Sequence, residues 1–203
     1  EFGCTRNTVR RALSMLADQM FVQPIHGKGV RVIWLKGETD MLGALEEVES
    51  FGEFAKRNNA VASTEVKSFE HLICTEQLSR RLGFKVGEEL IRVVRVRSLN
   101  GSARQVDHGY FLASIAKGLT PEIAADSIYG YLEHKRGVKV MASRRTVSVE
   151  LANDEDCSYL DLGKYNCVAV MESQSYTSDG ILFEVTHART HPEIFHYRVN
   201  SKR

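Results

Sequence analysis

Arg95 and Arg97 alternate along the apolar run Ile91 to Leu99, and a second run, Ser102 to Leu112, comes after the dipeptide Asn100-Gly101. Asn-Gly between two β-rich runs is among the strongest short-range hairpin signals. Residues two apart in a strand share a face, so both arginines point to the side that carries Ile91, Val93 and Leu99. Two guanidiniums roughly 7 Å apart on a half-apolar face call for an anion. A bound ligand could supply it, or carboxylates of the same chain could, or the face could simply be wet. Ser143 and Arg145 alternate in the same way within the long run Val138 to Leu151.

A different chemistry marks the start of the chain. Thr5 is a suitable N-cap for a helix in which Val9, Ala12, Leu13 and Leu16 form one apolar stripe. Arg6, Asn7, Thr8, Arg10 and Arg11 crowd the N-terminal and opposite side. There a recognition helix places groups that read bases and phosphates: arginine suits guanine edges and asparagine suits adenine. Phe21 to Ile33 then reads as strand, turn, strand, with His26-Gly27-Lys28-Gly29 at the tip. A helix followed by such a hairpin is the pattern of a winged helix-turn-helix, whose wing touches phosphate or the minor groove through Lys28, His26 and Arg31. Residues 1–34 carry five Arg and Lys against two acids, a net charge of +3 within a chain whose total is +1.

Composition bounds the rest. The chain has 203 residues, 43% of them hydrophobic, enough for one large domain or for one medium domain beside a small module. Cys4, Cys74, Cys157 and Cys167 are scattered without metal-ligand or disulfide spacing, which fits a reducing compartment, the cytoplasm. No apolar run approaches the roughly 20 residues that span a bilayer, so no membrane partner is expected. No paired nucleophile and base, no metal spacing and no Gly-rich nucleotide loop is visible, and the seven histidines are dispersed. An enzyme, a cofactor and a metal are therefore not expected.

After a linker at 35–44, with Trp34 expected to pack on the wing, residues 45–203 read as an antiparallel α+β domain. Short helices are expected after Ser50, after Thr75, after Asp126 or Ser127, and at Asp154 to Leu160. Strands are expected at Ala62 to His71, in the Asn100-Gly101 hairpin, at Val138 to Leu151, in a hairpin turning at Ser178-Asp179-Gly180, and at Ile194 to Val199.

Arg6 to Leu13 followed by Gly27-Lys28-Gly29-Val30 resembles the end of a GntR-type DNA-binding domain. The resemblance implies a winged helix-turn-helix whose first helices precede residue 1. The later segment, with Ser50-Phe51, Leu82-Gly83, Val86-Gly87, Arg95-x-Arg97, Asn100-Gly101, Tyr110-Phe111-Leu112 and Phe183-Glu184, resembles the UTRA effector domain of the HutC subfamily, with its chorismate-lyase-like fold. Thr120 to Ala124, Ser127-Ile128-Tyr129 and Leu162 to Val170 are similar to the trehalose-operon repressors of Gram-positive bacteria within that subfamily. Taken together, these resemblances imply a homodimeric repressor of a sugar-utilisation operon. It would bind operator DNA and be relieved by a sugar phosphate such as trehalose 6-phosphate.

The resemblance also assigns side chains. Ser50, Arg95 and Arg97 fall on positions suited to phosphate, while Asp107 and Glu184 fall on positions suited to sugar hydroxyls, Asp107 standing where the family usually has Glu. Ser143, Arg145 and Arg189 are further candidates. Hairpin register tests the set. A two-residue loop alone pairs Leu99 with Ser102 and sends Asp107 to the face opposite Arg95; a three-residue loop or an added bulge brings the two together. The rival functions are a chorismate-lyase-like enzyme and a stand-alone sugar-phosphate binding module.

Overall fold

The computed structural model describes residues 3–33, the backbone of 42–43, and residues 49–197. Trp34, the rest of the expected linker, and Arg198 onward lie outside the described residues, so the expected packing of Trp34 and the end of the last strand fall there too. Two compact units divide the chain, one within residues 1–40 and one spanning Met41–Tyr197. The second unit begins a few residues earlier than 45, because β3 (Leu42–Gly43) pairs in parallel with β10 (His196–Tyr197).

In the first unit, α1 spans Arg6–Asp18 with Thr5 as its N-cap, the Thr5 hydroxyl accepting the Thr8 N–H. β1 (Val22–Ile25) and β2 (Gly29–Val32) form the expected hairpin, Val22 opposite Val32 and Ile25 opposite Gly29. The apolar stripe of α1 is not covered within the described residues: Val9, Met15 and Leu16 are exposed.

The second unit is built on one antiparallel sheet. Its strands are β4 (Ala62–Ile73), β5 (Glu89–Leu99), β6 (Ser102–Leu112), β7 (Val140–Leu151), β8 (Cys167–Thr177) and β9 (Leu182–Thr190), in the order β4-β5-β6-β9-β8-β7. Short capped helices cover it. α2 (Phe51–Arg57) starts at Ser50 in a capping box with Glu53, and α3 (Glu76–Leu82) runs from Thr75 to Gly83. α4 (Pro121–Ala125) and α5 (Ile128–Arg136, capped by Ser127) bring Ala124, Ile128 and Leu132 onto Ile91, Val93 and Phe111. α6 (Asp154–Tyr159) and the loop after it cover the opposite face, where Leu160 and Leu162 pack on Val94, Val106, Val168 and Val170. The expected last strand begins two residues later than Ile194: a 3-10 turn at Pro192–Ile194 precedes β10.

The β5–β6 hairpin combines the two expected registers. Its loop is the two-residue Asn100-Gly101, with φ of 50° and 83° and Leu99 opposite Ser102. Positive φ at both central positions is what a type I′ turn requires. Asn100 is further tied to Val61, its side-chain oxygen accepting the Val61 N–H. A bulge comes at once: Ala103 faces Ser98, Gln105 faces Arg97, and Arg104 is the extra residue. One extra residue exchanges the faces of everything after it, so Asp107 lies directly opposite Arg95. The bulge is held from outside the hairpin. The His191 N–H donates to the Arg104 carbonyl at 2.8 Å and the Arg104 guanidinium reaches Glu193 at 3.1 Å.

Gly109 sits between Asp107 and Phe111 on the same face of β6. A Cβ there would lie 2.6 Å from Cε2 of Phe111, a ring with no exposed surface. We expect Gly109→Ala to cost about 1–3 kcal/mol by overpacking, seen as a lower urea midpoint. The same change at the exposed Gly101, where only the positive φ resists it, should cost about 1–2 kcal/mol.

Candidate functional site

Strand parity decides which side chains meet. The pairings place Arg95, Arg97, Gln105 and Asp107 of β5 and β6 on one face with Glu184 and Thr186 of β9, Ser173 and Ser175 of β8, and Ser143 and Arg145 of β7. Above them lie the start of α2, with Ser50 and Phe51, and the start of α5, with Ser127 and Tyr129. Together they enclose a cavity of about 250 Å³. Of the eight ligand candidates, seven (Ser50, Arg95, Arg97, Asp107, Ser143, Arg145 and Glu184) line it.

Arg189 does not. It has the opposite parity on β9, facing the second layer, where it donates to both carboxylate oxygens of Asp156, to Glu150 and to the Leu151 carbonyl. Asp156 is fully buried and also closes the capping box of α6 with Asn153. This cluster anchors α6 to the sheet. It borders a separate groove, in which Arg81 is bound to Tyr110, His108 to Glu155 and His187 to Glu172.

At the centre of the cavity, Asp107 is 2% exposed and its Oδ2 accepts from Arg95 at 2.5 Å and from Arg97 at 2.8 Å. Burial alone would raise the carboxyl pKa, but the two guanidiniums outweigh it and hold it down to about 2. Arg95 is buried as well. Its own pKa is lowered, first by burial and then by Arg97, against the attraction of Asp107 and Glu184. Arg97 lies 5.1 Å over the Phe51 ring, a cation–π contact that ties the cation to the start of α2. The Nε donors of Arg95 and Arg97 are buried and unpartnered.

Glu184 occupies the other end. Its carboxylate accepts a short hydrogen bond from the Tyr129 hydroxyl, which also contacts Ser175 at 3.1 Å, and Ser175 in turn meets Ser143 at 3.5 Å. Burial raises the Glu184 pKa, against the hydrogen bonds of Tyr129 and Ser175 and the charge of Arg95. The Tyr129 hydroxyl is raised well above its usual value by burial and by Glu184. Ser50 has a dual position: its hydroxyl accepts the Glu53 N–H in the cap and keeps its own proton to donate. Sequence reading missed Tyr129, Ser173, Ser175 and Gln105. The serines were open to discovery, because they alternate on β8 out of phase with the buried Val168 and Val170.

In the first unit, Arg6, Asn7, Thr8, Arg10 and Arg11 are exposed on α1, and His26 and Lys28 are exposed at the hairpin tip. Among the described residues no cluster of three or more His, Cys, Asp or Glu suits a metal, and no helix is long and apolar enough to cross a membrane.

The UTRA domain family matches residues 57–196. The chain belongs to that family. It is a transcriptional regulator of the GntR type, HutC subfamily, with a UTRA effector domain. It is 29% identical to the HTH-type transcriptional regulator TreR of Bacillus subtilis over 97% of this chain and 82% of that one. The effector-binding domain of the B. subtilis trehalose repressor superposes with a TM-score of 0.62 at 27% identity, over 70% of this chain and 98% of that one. The possible transcriptional regulator YydK of B. subtilis shares the fold over 99% of this chain and 85% of its own, with a TM-score of 0.74 at 22% identity.

Removing Asp107 leaves the buried Arg95 and the half-buried Arg97 without their counter-charge. Asp107→Asn is expected to destabilise the ligand-free protein by about 3–5 kcal/mol. Because the folded pKa of Asp107 lies below its unfolded value, the stabilisation is complete above about pH 4 and fades as pH falls toward 2. The gap in urea midpoint between wild type and Asp107→Asn should therefore narrow over that range and stay constant from pH 5 to 7.

Proposed function

We propose that the chain is an operator-binding repressor of a trehalose-utilisation operon, relieved when trehalose 6-phosphate enters the UTRA cavity. The observation that carries this reading is the composition of that cavity: three arginines and two carboxylates line it, and two of the cations keep unused buried donors. A phosphate suits Arg95, Arg97 and Arg145, since planar guanidinium forks match phosphate oxygens. Ser50 can donate to it as well. Sugar hydroxyls suit Asp107, Glu184, Ser143 and the nearby Ser175. The likeness to the B. subtilis trehalose repressor supports trehalose as the sugar.

DNA contact is assigned to the basic end of the chain. Arg6, Asn7, Thr8, Arg10 and Arg11 would read the major groove, while His26 and Lys28 on the wing would hold phosphate. Two such heads in a homodimer match a pseudo-palindromic operator. A ligand that binds one arrangement of the heads better than another lowers operator affinity by shifting populations.

Operator binding by the full-length regulator, measured with and without trehalose 6-phosphate, tests the whole reading. Release of DNA is expected, along with a higher thermal midpoint for the ligand-bound chain. Arg97→Ala should weaken ligand binding at least about tenfold and leave operator affinity without ligand unchanged. If another sugar phosphate releases the DNA instead, the trehalose assignment fails and the repressor stands. If no sugar phosphate shifts the midpoint, the reading of the cavity fails; turnover of a bound compound would establish the enzyme.

A further inference from the structure

The reverse face of the sheet is only partly covered. Leu160 and Leu162 close it over Val94, Val106, Val168 and Val170. Beside that patch lies the groove bordered by Arg189, with a volume of about 480 Å³. Small-molecule sites run from about 300 to 1,000 Å³. Strand pairing fixes the floor. One row crosses the sheet as Arg92, Tyr110, Val185, Gln174 and Arg144. In the next row His108 stands opposite His187, and His187 opposite Glu172.

Charge follows a definite order along this floor. At the β5–β6 end, Arg92 stands beside Tyr110, and Arg81 from the end of α3 donates to the Tyr110 hydroxyl at 2.8 Å. At the β7 end stands the exposed Arg144. Between the two ends the groove carries two carboxylates, Glu155 and Glu172. The cations keep spare capacity. Among the described residues Arg81 is bound to a neutral hydroxyl and to no carboxylate, and the Arg144 side chain has neither a hydrogen bond nor an ion pair. Arg92 meets Glu70 at 3.3 Å, and that carboxylate is half exposed. Of the two central acids, Glu155 is engaged with His108 at 2.9 Å. Glu172 stands 3.6 Å from His187, beyond hydrogen-bonding range, and keeps 64% of its side chain exposed.

We infer that this groove is a second ligand site, for a small hydroxylated molecule that carries a phosphate at each end. Positive ends and an acidic middle select that pattern. Tyr110 and Arg144 are three strands apart, about 14 Å, and the arginine side chains reaching inward shorten the span. Guanidinium forks match phosphate oxygens at either end. A phosphate in the middle would stand against Glu172, whereas a hydroxyl there donates to it. Tyr110 and Val185, each 8% exposed, give the carbon skeleton an apolar bed. A monophosphate reaches the cations of one end and leaves those of the other unused. None of Arg95, Arg97, Asp107 and Glu184 lines the groove, so this site and the effector reading stand or fall separately.

Calorimetric titration of the full chain with fructose 1,6-bisphosphate tests the site. Saturable binding is expected, with fructose 6-phosphate and inorganic phosphate each at least about tenfold weaker. Arg144→Ala and Arg81→Ala should each weaken the bisphosphate by about tenfold or more, the loss of charge-assisted hydrogen bonds. Arg144 has no partner to lose, so Arg144→Ala should keep the thermal midpoint of the ligand-free chain, and its weaker binding is then not a folding defect. Arg97→Ala, in the cavity on the other face, should leave bisphosphate binding as it is. Absence of binding by the wild-type chain overturns the site. Binding that survives Arg144→Ala and is lost in Arg97→Ala places the bisphosphate in the effector cavity and overturns the second site alone. Inorganic phosphate binding as tightly as the bisphosphate overturns the two-ended ligand.

Discussion

The cavity exists in its present form because one carboxylate, Asp107, is pressed between two guanidiniums inside the protein. Arg95 is 4% exposed, and a cation so far from water is costly unless paired. Asp107 supplies the counter-charge, and it can do so only because β6 carries an extra residue. Without the Arg104 bulge the two-residue turn would send Asp107 into the opposite layer, beside Val94, and set Val106 opposite Arg95 in its place. The bulge is in turn secured by His191 and Glu193. The end of β9 and the segment after it thus fix the chemistry of a hairpin almost ninety residues earlier in the chain.

This pairing stabilises the cavity without exhausting its capacity for an anion. Both arginines use the same oxygen of Asp107, and their Nε donors remain unused. A ligand phosphate would enter a field that Asp107 has only partly neutralised. A neutral sugar would gain the hydroxyl contacts of Asp107 and Glu184 but would leave those donors unsatisfied. Discrimination between the two comes from buried donors that only an anion can use well. At the far end, Glu184 is held by Tyr129 and Ser175, so a ligand hydroxyl arriving there would exchange with a hydroxyl partner already in place.

Much of this was legible in the residues. Asn100-Gly101 marked the turn, Thr5, Ser50, Thr75 and Ser127 marked helix starts, and alternation put Arg95 with Arg97 and Ser143 with Arg145. The register was legible only as a choice, because a bulge is stabilised by contacts distant in sequence and has no local signature at Arg104. Arg189 was misplaced for a related reason. An arginine late in a strand looks equally suited to either face, and its true partner, Asp156, reads locally as nothing more than a helix-capping residue. Tyr129 was hidden because a tyrosine at a helix start gives no sign of the sheet residue its hydroxyl will reach.

Parity within one sheet therefore separates two polar systems that composition alone would merge. Arginines and carboxylates occur on both faces. On one face Arg189 meets fixed structural partners, Asp156 and Glu150. On the other they line a cavity, and some of their hydrogen-bonding capacity is left over. β7 shows the distinction within one strand, since Ser143 and Arg145 line the cavity and Arg144 and Glu150 lie on the other face. A sheet strand moves as a unit more readily than it changes its alternation, because slipping by one residue would turn every side chain over. A displacement imposed on Arg145 from the cavity would therefore be carried along the strand as a shift or tilt.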